Sequence, residues 1–134
     1  AGTLVAGGGL NAGPRDLARF AMMLLNDGSV GDQQIVSPAI IDILEKGGDR
    51  EAFSRGSEAV GPFSDWSYRA QWWIRHTAGR EAITAIGIHG QWIYIDRARR
   101  VAIVKQSSQP LSADRDTDQF VLNAFDAVID HIKR

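Results

Sequence analysis

The chain has 134 residues, 15 basic and 16 acidic side chains, a formal net charge of -1, no cysteine and 44% hydrophobic residues. That is enough for one modest domain with a core, and it excludes a disulfide framework, a thiolate metal site and the roughly 18 to 20 consecutive apolar residues of a membrane span. The scattered, balanced charge gives no electrostatic footprint for nucleic acid.

The opening run carries Gly7, Gly8 and Gly9 ahead of Leu10 and Asn11. It reads as a tight loop and not as a phosphate cradle: no lysine followed by serine or threonine sits at the P-loop position, and no GxGxxG follows a strand. A helix is predicted over about 14–26, with Pro14 in its first turn, Asp16 near its positive end and Leu17, Phe20, Ala21 and Leu24 on one stripe. Asn26, Asp27 and Gly28 stop it. A second helix, 38–46, follows Ser37 as cap, buries Ile41 and Leu44, and ends at Gly47 and Gly48. Residues 47–67 are rich in glycine, serine and charge, with Phe53, Phe63 and Trp66 interspersed. They read as a long surface loop, either a lid or binding wall or an unstructured excursion.

Strands are predicted over about 69–76, 82–88, 91–96 and 100–106, a meander of three or four antiparallel strands with turns at Ala78-Gly79 and from Asp96 to Arg100. Gln91, Ile93 and Ile95 face one side and Trp92 and Tyr94 the other. Trp72 and Trp73 are adjacent on a strand and point to opposite faces, so one can be core while the other lines a pocket. The last helix, about 114–133, is predicted to bury Phe120, Val121, Ala124, Val128 and Ile132, with acids at its start and Lys133 and Arg134 at its end. Helices with an antiparallel sheet give the α+β class, not a βαβ array. The sheet's second face is left for the early helices or for chain outside this sequence to cover.

Nucleophilic serine chemistry needs an activating histidine or lysine near the hydroxyl. The nine serines include none in GxSxG and none in SxxK. The histidines His76, His89 and His131 match no zinc spacing, and Asp114, Asp116 and Asp118 are explained by the start of a helix. No metal or other cofactor is indicated. His89 stands apart, flanked by glycines in Gly87-Ile88-His89-Gly90 between two apolar strands, where glycine marks either a bend or a ligand approaching the backbone.

Gly7-Gly8-Gly9-Leu10-Asn11, Arg15-Asp16-Leu17-Ala18-Arg19-Phe20, Leu24 through Gly28 and Ile35-Val36-Ser37-Pro38 resemble a passage of the serine hydrolases related to class C β-lactamases. Gln71-Trp72-Trp73 and the run from Gly87 to Asp96 look most like the 6-aminohexanoate-dimer hydrolase branch of that group. The resemblance covers nearly the whole sequence but only about the last third of such a protein. The first residue is Ala1 and not methionine, so the chain reads as a processed product, an expressed piece or part of something longer; the resemblance implies the carboxy-terminal piece of a serine β-lactamase-like fold, missing its amino-terminal part.

The resemblance implies an acyl-enzyme mechanism with a serine, a lysine three residues later and a proton-relaying tyrosine, none of them in this segment. It implies a small amide or ester substrate and no cofactor. Ile88 is expected to give a backbone N–H to an oxyanion hole, with Gly87 preserving the strand's glycine. Trp73 and Trp72 would wall the substrate's methylene chain, and His89 would set the turn or touch the site's edge. Where β-lactamases carry Lys-Thr-Gly, this sequence has Ala85-Ile86-Gly87, so a cation for a substrate carboxylate is missing. The isolated chain is expected to be inactive and to self-associate or be marginally stable. A non-enzymatic α+β module binding a small apolar ligand or a protein through its Trp-rich sheet face is the competing reading.

Overall fold

The computed structural model describes residues 10–132; Gly7, Gly8, Gly9, Lys133 and Arg134 lie outside them. Helix α1, Pro14–Leu25, starts at Gly13 with proline in its first turn. At its other end the Arg100 guanidinium donates to the Leu25 carbonyl (3.2 Å), an acceptor that a helix terminus leaves open, and to the side-chain Oδ1 of Asn26 (2.8 Å). A two-stranded hairpin absent from the sequence reading follows, β1 (Ser29–Val30) with β2 (Gln33–Gln34). Helix α2, Pro38–Lys46, has Ser37 at its N-cap position, but the serine side chain makes no capping bond.

The segment 47–67, expected as one loop, holds three pieces of structure. Helix α3, Arg50–Ser54, is capped by Asp49, whose carboxylate accepts from the Ala52 N–H at 2.9 Å. A 3-10 turn, Gly61–Phe63, drives Phe63 completely into the core. Strand β3, Trp66–Arg69, has already begun by residue 67. Phe63 and Trp66 explain the difference: their rings pack edge to face at 4.8 Å, and apolar area of that size is stabilising only when buried.

The strand expected at 69–76 is instead the second half of a hairpin, β3 with β4 (Trp72–Arg75). Its two-residue turn, Ala70 and Gln71, has φ of 47° and 69°. Paired positive φ matches the twist of a tight hairpin, yet the usual Asn-Gly signature is absent. Strands β5 (Ala82–Gly87), β6 (Gln91–Asp96) and β7 (Val101–Lys105) complete a five-stranded antiparallel sheet in the order β3-β4-β5-β6-β7.

Helices cover both faces. Ile74, Ile83, Ile93 and Ile95 meet α1 and α2 through Ala21, Leu24, Leu25, Ile41 and Leu44. Trp66, Trp92, Tyr94 and Val101 meet helix α4, Arg115–Ile132. The class is α+β, in three layers. Of the stripe expected on helix α4 only Val121 is buried: Val121, Leu122, Phe125 and Ile129 face the sheet, while Ala124, Val128 and Ile132 face solvent and Phe120 is 71% exposed. Both sets obey helical spacing, so periodicity cannot choose between them. The buried set carries Leu122, Phe125 and Ile129, and two paired forks accompany that rotation: Arg75 grips both Asp126 oxygens (2.9 and 3.0 Å) and Arg80 both Asp130 oxygens (2.7 and 2.8 Å).

Where α2 ends, Gly47 adopts φ +73°, and a Cβ there would fall 2.4 Å from Ser67 Oγ. Ser67 is fully buried, accepts from the Gly48 N–H (3.0 Å) and hydrogen-bonds His76 Nε2 (2.7 Å). Burial, helped by the Arg50 charge, holds His76 below its usual 6.5. The unfolded chain therefore takes up a proton first, and stability falls as pH drops through 6.5 toward the lowered value. Urea midpoints taken between about pH 7.5 and about pH 5.5 should decline more steeply for the unaltered protein than for His76→Gln. Equal slopes would remove His76 from the account.

Candidate functional site

Two cavities lie at opposite ends of the sheet. The larger, about 220 Å³, sits between the β4–β5 and β6–β7 turns and includes Arg75, His76, Glu81 and Arg97 in its wall. Its polar groups are spent on protein partners: Arg75 on Asp126 and Tyr94, His76 on Ser67, and Arg97 on Asp27, Asp42 and Glu45. The Ser67–His76 pair, which the sequence did not reveal, joins a serine to a base, but a fully buried hydroxyl cannot meet a substrate carbonyl.

The second cleft, about 150 Å³, opens where β5 ends, and Phe63, Trp73 and Ile86 form its apolar side. Gly87 and Ile88 line it, bringing three of the five sequence-predicted site residues together. Trp73 is held from three sides by Phe53 (5.9 Å between ring centres), Phe63 (5.7 Å) and Tyr68 (5.3 Å). Trp72 is a correction. The pleat sends it to the opposite face, where it stacks on Phe20 of α1 at 6.1 Å and forms no part of the cleft.

The turn after β5 is built from the backbone outward. Gly87 is extended (φ -109°, ψ 161°), and a Cβ there would crowd Gln91 Cβ at 3.1 Å. Ile88 is 68% exposed, an unusual position for a branched apolar residue between two strands. His89 adopts φ 58°, ψ 28°, and Gly90 φ 79°. His89 is not among the lining residues; its ring turns to the connection between β7 and α4, where Nδ1 lies 2.9 Å from the Gln109 carbonyl.

That connection and the start of α4 supply the rest of the wall, which sequence reasoning missed: Gln109, Ser112, Arg115 and Asp118, with Glu58 from the segment before β3. Arg115 pairs with Glu58, reaches Asp118 at 3.4 Å and lies 4.7 Å over the Phe63 ring. Burial pushes the Asp118 carboxyl up from its usual range, with Arg115 opposing. The only local signal was the Arg115/Asp118 spacing of three on a helix; nothing in the sequence places Glu58 beside them. Among the described residues no group of three or more His, Asp or Glu could hold a metal ion, and no helix is long and apolar enough to cross a membrane.

A family model described as Beta-lactamase matches residues 1–126. A 6-aminohexanoate-dimer hydrolase from Paenarthrobacter ureafaciens is 37% identical over 105 residues, covering 78% of this chain and 26% of that protein. The solved structure described as "Putative 6-aminohexanoate-dimer hydrolase from Bacillus anthracis" superposes with a TM-score of 0.74 at 32% identity, over 93% of this chain and 30% of that one. The chain thus spans less than a third of the length of either relative.

Proposed function

The chain belongs to the beta-lactamase family, and from that premise we propose that it is the carboxy-terminal segment of a serine hydrolase cleaving small linear amides or esters through an acyl-enzyme. The observation that carries the reading is the shared cleft. The glycine-ended strand β5 brings the Gly87–Ile88 turn to the same 150 Å³ space as the Trp73 ring. In acyl transfer the carbonyl oxygen becomes an anion, and a backbone N–H already aimed at that point stabilises it without reorganising. Ile88 N–H takes that role, with the nucleophile's own N–H as partner. Phe63, Trp73 and Ile86 give a methylene chain an apolar wall.

The serine, lysine and tyrosine come from the remainder of a longer protein. Ala85 in place of a lysine leaves no cation on β5, and the Arg115 guanidinium is engaged by Glu58 and Asp118, so the cleft suits a substrate that is neutral near its scissile bond. Hydrolysis of a small chromogenic ester tests the reading. The 134-residue chain should give no turnover, and the same segment joined to a polypeptide bearing the Ser-x-x-Lys element should give turnover. Turnover by the chain alone would overturn the segment assignment and direct attention to Ser112, the serine on the cleft wall.

A further inference from the structure

His89 makes three hydrogen bonds to one short stretch of chain. Its N–H donates to the Ser112 carbonyl (3.0 Å), its carbonyl accepts from the Gln109 N–H (3.2 Å), and its ring Nδ1 meets the Gln109 carbonyl at 2.9 Å. A carbonyl oxygen only accepts, so Nδ1 carries the proton and donates. Gln91 adds a second grip. Its side-chain amide donates to the Ser107 carbonyl, and its oxygen accepts from the Ser107 N–H at 3.1 Å. Gly90 leaves the space that the Gln109 side chain fills, since a Cβ there would fall 2.3 Å from Gln109 Cδ. The stretch 106–112 is thereby strapped to the turn carrying Ile88, and its Gln109 and Ser112 line the cleft.

His89 at φ 58° sits in the left-handed region that non-glycine residues enter seldom, histidine more readily than most, and the surroundings hold it there. Here the surroundings are the strap itself. The His89 N–H bond fixes the peptide plane next to the one that carries Ile88 N–H.

We infer that His89 is a positioning residue that locks the 106–112 strap and the Ile88 backbone into one unit, so that cleft wall and oxyanion donor are set together. This rests on the hydrolase reading for its catalytic meaning, but not for the clasp. Two variants separate backbone from ring. His89→Gly keeps the left-handed turn and loses the Nδ1 bond. His89→Asn tolerates the same φ and carries an N–H donor the same number of bonds from Cα.

Amide exchange and amide resonances are read by NMR on the full chain, with the Tyr94 amide reporting on global stability. In His89→Gly the Gln109 amide exchanges about tenfold faster and the Ile88 resonance moves, while Tyr94 is unchanged. His89→Asn restores both. In the catalytically complete protein His89→Gly lowers kcat for ester hydrolysis with KM nearly constant. Unchanged Gln109 exchange, a His89→Asn variant that behaves like His89→Gly, or an unaltered kcat would each overturn the inference. If the unsubstituted complete protein hydrolyses nothing, the hydrolase reading and the catalytic meaning of His89 fall together, and the exchange and Ile88 shifts still decide whether the clasp exists.

Discussion

Replacing Ile88 by proline in the catalytically complete protein should lower kcat for amide or ester turnover by about 10²- to 10³-fold, the roughly 3 to 4 kcal/mol that one oxyanion donor supplies. Proline removes the N–H and nothing else of consequence. The Ile88 side chain is mostly in solvent, so little packing is lost. Residue 87 is already extended, as the residue before a proline must be, and residue 88 opens a 3-10 turn, where a proline's fixed φ is tolerated. Ile88→Ala keeps the donor and should stay within about threefold of the unaltered rate. Steady-state kinetics on the pair decide the matter: a proline variant with nearly full kcat would take Ile88 out of the oxyanion hole.

The second large effect is on stability. Asp126→Ala should cost about 3 to 5 kcal/mol in urea unfolding, because it leaves the Arg75 guanidinium without its carboxylate. Arg75 has only 9% of its side chain exposed, and with Asp126 gone its remaining buried partner is the Tyr94 hydroxyl at 3.1 Å. The cost comes from the stranded charge more than from the value of the pair. Replacing both partners with apolar residues, Arg75→Met with Asp126→Leu, should therefore recover most of it. A double variant as unstable as Asp126→Ala would show that the pair itself, and not the orphaned guanidinium, holds α4 to the sheet.

What the sequence disclosed follows the range of the forces involved. Alternation along Gln91 to Asp96 separates Trp92 and Tyr94 from Ile93 and Ile95 correctly, because a strand's two-residue period is set by local geometry. The same logic splits Trp72 from Trp73. For α4 periodicity recovered only Val121, because two stripes satisfy the helical period and the buried one is fixed by contacts with distant chain, among them the pairs of Asp126 with Arg75 and Asp130 with Arg80, 51 and 50 residues apart. The Ala70-Gln71 turn lacks the residues such turns favour, so a hairpin was read as one strand. At the cleft, the glycine-flanked turn and Trp73 were legible. The strap and the Glu58–Arg115–Asp118 rim were not, since they reach the cleft only when 58, 109–112 and 115–118 converge in three dimensions.

Each strand of the five-stranded sheet lies beside its neighbour in sequence, and the connections are short: two residues between β3 and β4, six between β4 and β5, three between β5 and β6, four between β6 and β7. Contacts between sequence neighbours need little loop closure, so hairpins of this kind form within about 1 to 10 microseconds. The helices come from the two ends of the chain, and we predict that they complete their docking only after the hairpins have paired. A lesion in the docking of α4, such as the loss of Asp126, should then leave the folding rate nearly unchanged and appear almost wholly as faster unfolding.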